Sequence, residues 1–131
     1  MNAPVSKYPV SKYPVLVISF NNCEIHACHL DGFKNDWEAL ANRLKAIDEF
    51  FIKAPKNCGH RIWYNVGDSV LSDEVIADIT GSLLKIEDRI VKIAFIGVKR
   101  KRRLNKSIRQ ALPNKPVSYF ADAEAAKEWL I

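Results

Sequence analysis

The sequence predicts an α/β domain: a mixed, mostly parallel five-stranded sheet with four helices, in the order β-β-α-β-α-β-α-β-α. Three observations predict it. Short apolar runs rich in β-branched residues alternate with longer stretches of helical period, the pattern of strand–helix–strand units. The 131 residues fit one domain, large enough to bury roughly two-thirds of the unfolded surface without staples. The composition is 48% hydrophobic and 27% charged, which suits a packed globule and excludes wholesale disorder, collagen-like repeats and a disulfide scaffold.

Each element has a local reason. Residues 15–20 are continuously apolar and β-branched, hence a strand. Asn21-Asn22 can adopt positive φ and suits a two-residue hairpin turn, so residues 23–30 return as the second strand. Asn35 can cap a helix, with Glu38 completing a capping box. Trp37, Leu40, Ala41, Leu44, Ile47 and Phe51 then form one apolar stripe. The 54–57 stretch, Ala-Pro-Lys-Asn, ends that helix, and residues 60–66 form a third strand. Ser72 is the next N-cap, with Asp73 and Glu74 in the first turn and Ile76, Ile79, Leu83 and Ile86 facing inward. Residues 90–98 are apolar on both faces, as in a central parallel strand. A basic helix follows with Leu104, Ile108 and Leu112 on one side, stopped by Pro113. Residues 117–120 make a short fifth strand, and Asp122 caps a last helix that turns Ala123, Ala126, Trp129 and Leu130 inward.

Residues 1–11 are expected to be a flexible N-terminal arm and 12–131 the folded domain. The arm and the run into the first strand hold a tandem repeat, Val-Ser-Lys-Tyr-Pro at 5–9 and again at 10–14. Two copies of five residues are too few for a repeat architecture. No stretch approaches ~18 apolar residues, so no transmembrane segment is expected, and residues 1–11 lack the apolar core of a signal peptide. Three cysteines in a domain of this size read as reduced thiols, and the expected location is the cytoplasm.

The closing stretch Val117-Ser118-Tyr119-Phe120-Ala121-Asp122-Ala123-Glu124-Ala125-Ala126-Lys127-Glu128-Trp129-Leu130 resembles the SpoIIAA-like proteins of the bacterial STAS superfamily. So do strand 60–66 with its turn Gly67-Asp68-Ser69, the helix expected over 73–86, and the strand Val91-Lys92-Ile93-Ala94-Phe95-Ile96-Gly97. The resemblance covers roughly residues 12 to 131. It implies a STAS/SpoIIAA-like fold and a non-enzymatic domain that binds partner proteins through the turn after the third strand. Some members are switched by serine phosphorylation at that turn, and the related CRAL-TRIO carriers hold lipids. Here the turn reads Gly67-Asp68-Ser69-Val70-Leu71-Ser72-Asp73, without the Asp-Ser-Ser-Gly string of regulated antagonists.

Four groups of residues are candidates for function. The turn 67–72 lies at the carboxyl end of a strand, where partners meet parallel sheets. Ser69 and Ser72 are possible phosphorylation sites. Their competing roles are to bond the turn and cap the helix, and a phosphate beside Asp68, Asp73 and Glu74 would be repelled. The second group is the run Lys99-Arg100-Lys101-Arg102-Arg103. Eight basic residues and no acidic ones fall between 99 and 115, whereas the rest of the chain holds 12 basic and 15 acidic residues, so its net charge of +5 comes from this segment. Cations oppose the dipole at a helix start, and an anionic partner compensates them. No aromatic lies between Val98 and Ser118 to stack bases, so nucleic acid is not the expected partner. The third group is Cys23, His26, Cys28 and His29. Strand alternation splits it between two faces, and Cys58 or His60 would have to fold across to complete a metal site, so neither metal nor catalysis is expected. The fourth is the aromatic set Trp37, Phe50, Phe51, Trp63 and Tyr64, which is ordinary core unless the first helix lies loosely and opens an apolar groove.

The sequence therefore points to a regulatory or binding module without cofactor or catalytic residue. Asp68, Ser69, Ser72, Lys99, Arg100, Lys101, Arg102 and Arg103 would contact a partner protein or an anionic ligand. The alternative is a carrier of an apolar or lipid ligand that docks on anionic membranes through the basic segment. Oligomeric state is not legible.

Overall fold

The computed structural model describes residues 13–55 and 59–131, so the expected arm at 1–11 and Cys58 lie outside the described residues. The elements are β1 (Val15–Phe20), β2 (Cys23–His29), α1 (Trp37–Ile52), β3 (His60–Asn65), α2 (Asp73–Lys85), β4 (Ile90–Ile96), α3 (Lys101–Ala111), β5 (Val117–Phe120) and α4 (Ala123–Leu130). The order is the expected one, with a short 3-10 turn, Glu87–Arg89, added before β4.

The five strands lie in sequence order, β1-β2-β3-β4-β5. β1 is antiparallel to β2, and every later pair is parallel. The hairpin forms because Asn21 and Asn22 both take positive φ, 48° and 63°, which matches the twist of the strands they join. Strands β2 to β4 end one or two residues earlier than their apolar runs. The pairing continues there as single bonds, with Leu30 N–H donating to Asn65 C=O (2.8 Å) and Val66 N–H to Ile96 C=O (3.0 Å).

Sequence order in the sheet has a consequence for the layers. Crossovers of one hand between adjacent strands all run over the same face. Accordingly α1, α2 and α3 share one core with Cys28, Ile62, Tyr64, Ile93 and Phe95. The alternate strand residues Ile25, Ala27, Trp63, Ala94 and Ile96 face the other way, where α4 covers them with Ala126 and Leu130. Arg61 and Lys92 donate to the carbonyls of Leu130 (2.5 Å) and Trp129 (2.9 Å), placing cations at the negative end of α4.

The helix starts follow local chemistry. Ser72 accepts from Val75 N–H (3.2 Å) and Asp122 from Ala125 N–H (2.9 Å), as their positions predict. α1 departs by one residue. Its cap is Asp36, whose carboxylate accepts from Ala39 N–H at 3.1 Å, so Asn35 lies outside and Glu38 is no longer at the capping-box position. Lys34 has φ 53° and turns the chain there, which delays the helix. The stripe of α1 also carries a buried Asp48. It accepts a hydrogen bond from Ser82 of α2 and faces Lys85 at 3.5 Å, pinning the two helices in register. Among the described residues no helix is long and apolar enough to cross a membrane.

Candidate functional site

The carboxyl ends of β2, β3 and β4 place three loops side by side. The first two run as an extension of the sheet. Gly32 N–H donates to Gly67 C=O (2.9 Å), Lys34 N–H to Asp68 C=O (2.9 Å), and Val70 N–H to Lys34 C=O (2.7 Å). Ser69 fastens them, its hydroxyl donating to Leu30 C=O (2.6 Å) and accepting from Phe33 N–H (3.1 Å). The third loop packs backbone to backbone on the second. Gly97 has φ +77°, and a Cβ there would stand 3.0 Å from the Gly67 Cα. Only glycine fits that approach without strain.

Between these loops lies a cleft of about 230 Å³, lined by Lys34, Val70, Leu71, Gly97, Lys99 and Arg100 together with Asp68 and Ser69. Its electrostatics are uneven. Arg100 donates to Leu71 C=O (2.6 Å) and pairs with Asp73 at 3.0 Å, while Arg103 reaches the same carboxylate at 3.5 Å. Lys101 sits over the ring of Tyr119, 6.0 Å from its centre. Burial pushes the Tyr119 phenol up to about 12, so it stays protonated and donates to Asn105 Oδ1 (3.0 Å). Lys99 and Arg102 make no ion pair among the described residues. α3 opens behind Arg100 with no side-chain cap, so its first N–H groups remain available to an anion.

No family model matches this chain, and no curated protein or solved structure matches it either.

The turn and the basic run, expected at one end of the sheet, thus meet at one cleft. Ser69 and Ser72 spend their hydroxyls on the fold, and a phosphoryl group on Ser69 would break both of its bonds. The basic run is divided: Arg100 and Arg103 are held by Asp73, and Lys99 and Arg102 are not. Sequence reasoning missed Lys34 and Gly97. The glycine directly after the apolar run 90–96 was a signal for a tight turn, whereas Lys34 enters only through the pairing of two loops distant in sequence.

The other candidates are dispersed. Cys28 is fully buried, and burial pushes its thiol well above the ordinary range, which disfavours the thiolate. His29 lies on the opposite face and meets Asp31 at 3.3 Å. His26 turns instead to His60 of β3, the rings edge to face with centres 4.5 Å apart beside Phe51. Burial holds both imidazoles below their ordinary pKa. A neighbouring positive charge would lower each further, protonated His60 acting on His26 and Arg89 on His60, partly offset by Glu24. Among the described residues no three metal-ligating side chains converge. Trp37 and Phe51 share no groove: Phe51 is fully buried and Trp37 is exposed. Trp63 and Tyr64 are core residues on opposite faces, and Phe50 is partly exposed above His26.

Proposed function

We propose that this chain is a non-enzymatic binding module that takes an acidic group of a partner protein in the cleft between the 67–72 turn and the 99–103 segment. The observation that carries the reading is the charge division at that cleft. Lys34 and Lys99 line it, Arg102 follows on the uncapped start of α3, and no acid among the described residues answers Lys99 or Arg102. A carboxylate seated there meets Lys34, Lys99 and Arg100 against the single acid Asp68, which favours an anion over a cation. The order of the elements and the closing Phe120, Asp122, Trp129 and Leu130 support kinship with the SpoIIAA-like STAS proteins, and a cytoplasmic partner fits the unpaired thiols of Cys23 and Cys28.

The test is binding of a fluorescent hexaglutamate peptide at low ionic strength. Affinity should fall at least tenfold between ~20 and ~200 mM salt, because exposed charges are screened. The double charge reversal Lys99→Glu with Arg102→Glu should abolish it. Binding that ignores salt, or survives the double reversal, defeats the reading. Copurification of a lipid, read by native mass spectrometry, would support the carrier function instead.

A further inference from the structure

The two edges of the sheet are built differently. β5 has four residues and follows Lys115 and Pro116, which blunt strand addition. β1 has six residues, Val-Leu-Val-Ile-Ser-Phe, with no charge, no proline and no break in its register with β2. Leu16 and Val17 are 40% and 52% exposed, and among the described residues nothing pairs with its outer side.

The direction of the open groups can be derived. His29 N–H donates to Pro14 C=O at 3.1 Å, so the pair 14/29 is a hydrogen-bonded pair of the antiparallel ladder. Such pairs alternate with non-bonded ones. The pairs 16/27, 18/25 and 20/23 are therefore bonded, and 15/28, 17/26 and 19/24 are not. It follows that the N–H and C=O groups of Val15, Val17 and Ser19 point away from β2 into the open edge.

We propose that β1 is a self-association edge: two copies of this chain pair β1 against β1, antiparallel, about a two-fold axis through Val17. The register follows from the parity. Outward groups must meet outward groups, and only the pairing of Val15 with Ser19, Val17 with Val17 and Ser19 with Val15 satisfies all of them, giving about six hydrogen bonds. The same register sets exposed Leu16 opposite Ile18 of the second copy, an apolar pair on the side of the sheet that carries α4. Charge at the strand does not oppose this occupant. The chain carries +5, yet β1 holds no charged residue, so self-pairing sets no like charges directly opposite. Two-fold closure ends the assembly at a dimer, since each copy has one such edge. A single strand pair buries far less than the ~1,600 Å² of a standard complex, so the dimer is weak, with a dissociation constant on the order of 0.1 mM. The rival occupant is this chain's own residues 1–12, which join the fold just before β1.

The experiment is sedimentation equilibrium of the full chain from ~10 µM to ~1 mM, with amide hydrogen exchange at both ends of the range. The expected result is a reversible monomer–dimer equilibrium in which Val15, Val17 and Ser19 amides are protected only when concentrated. Val17→Pro removes an outward N–H and leaves the β1–β2 ladder intact, and Val17→Lys adds a charge at the two-fold axis. Each should keep the circular dichroism spectrum and lower dimerisation at least tenfold. A chain that stays monomeric at ~1 mM overturns the proposal, as do variants that dimerise like the parent. Protection of the three amides at every concentration would assign the edge to residues 1–12 and equally overturn it.

Discussion

The turn after β3 and the segment after β4 lie against each other, yet they spend their polar groups in opposite ways. In the turn, Ser69 joins two loops and Ser72 caps α2, so the polar side chains there hold backbone. In the segment, Arg100 and Arg103 are held by Asp73 and Lys101 lies over Tyr119, while Lys99 and Arg102 make no ion pair among the described residues. The lesson is that adjacency to a site does not give a residue the same role. The serines of the turn fix the wall of the cleft, and the segment adds Lys99 and Arg100 to the charge that Lys34 and Asp68 bring.

Four changes break or sharpen this contrast. The largest effect is expected from Gly97→Ala, which adds a Cβ at positive φ and drives it against Gly67. The cost is about 2–3 kcal/mol, read as a fall in the urea midpoint, and it should displace the wall and weaken hexaglutamate binding as well. Ser69→Ala should come next. It leaves Phe33 N–H and Leu30 C=O without a partner, at about 2 kcal/mol of stability, while binding at saturating folded protein changes little. Equal loss of binding would show that the hydroxyl contacts the ligand. Asp73→Asn should cost under about 1 kcal/mol through the helix dipole, yet raise hexaglutamate affinity a few-fold by releasing Arg100 and Arg103. Lower affinity would mean that Asp73 positions these arginines rather than spending them.

The smallest effect is a pH dependence that arises far from the cleft. His26 and His60 have lowered pKa values in the folded state, so the unfolded chain binds more protons near its own imidazole pKa. Stability then rises with pH and is lost as pH falls through ~6.5 and below. Urea midpoints between pH 5 and 8 should show this slope, and His60→Phe should flatten it. An unchanged slope in that variant would place the titration elsewhere.

Most of the fold was legible because its signals are local. Strand runs, the Asn21-Asn22 turn, and the Ser72 and Asp122 caps depend on residues within a few positions of each other. The start of α1 was misread by one residue because Asn35 and Asp36 are both good caps, and only the backbone turn at Lys34 chooses between them. The site was legible in outline, since the end of a parallel strand and a basic run can both be read along the chain. Its division of charge was not. Asp73 pairs with arginines 27 and 30 positions away, and Lys34 reaches the cleft only through loop pairing with Ser69.

The sequential strand order bears on how the chain is made. Every strand pairs with its neighbour in the sequence, so the sheet can grow in chain order as it leaves the ribosome, each parallel pair waiting on the crossover helix between its strands. α4 alone breaks this progression, because it covers the opposite face and follows all five strands. Until its final turn emerges, Ile25, Ala27, Trp63, Ala94 and Ile96 form an open apolar floor. Trp129 and Leu130 therefore act as a late seal on a sheet whose strands all precede them.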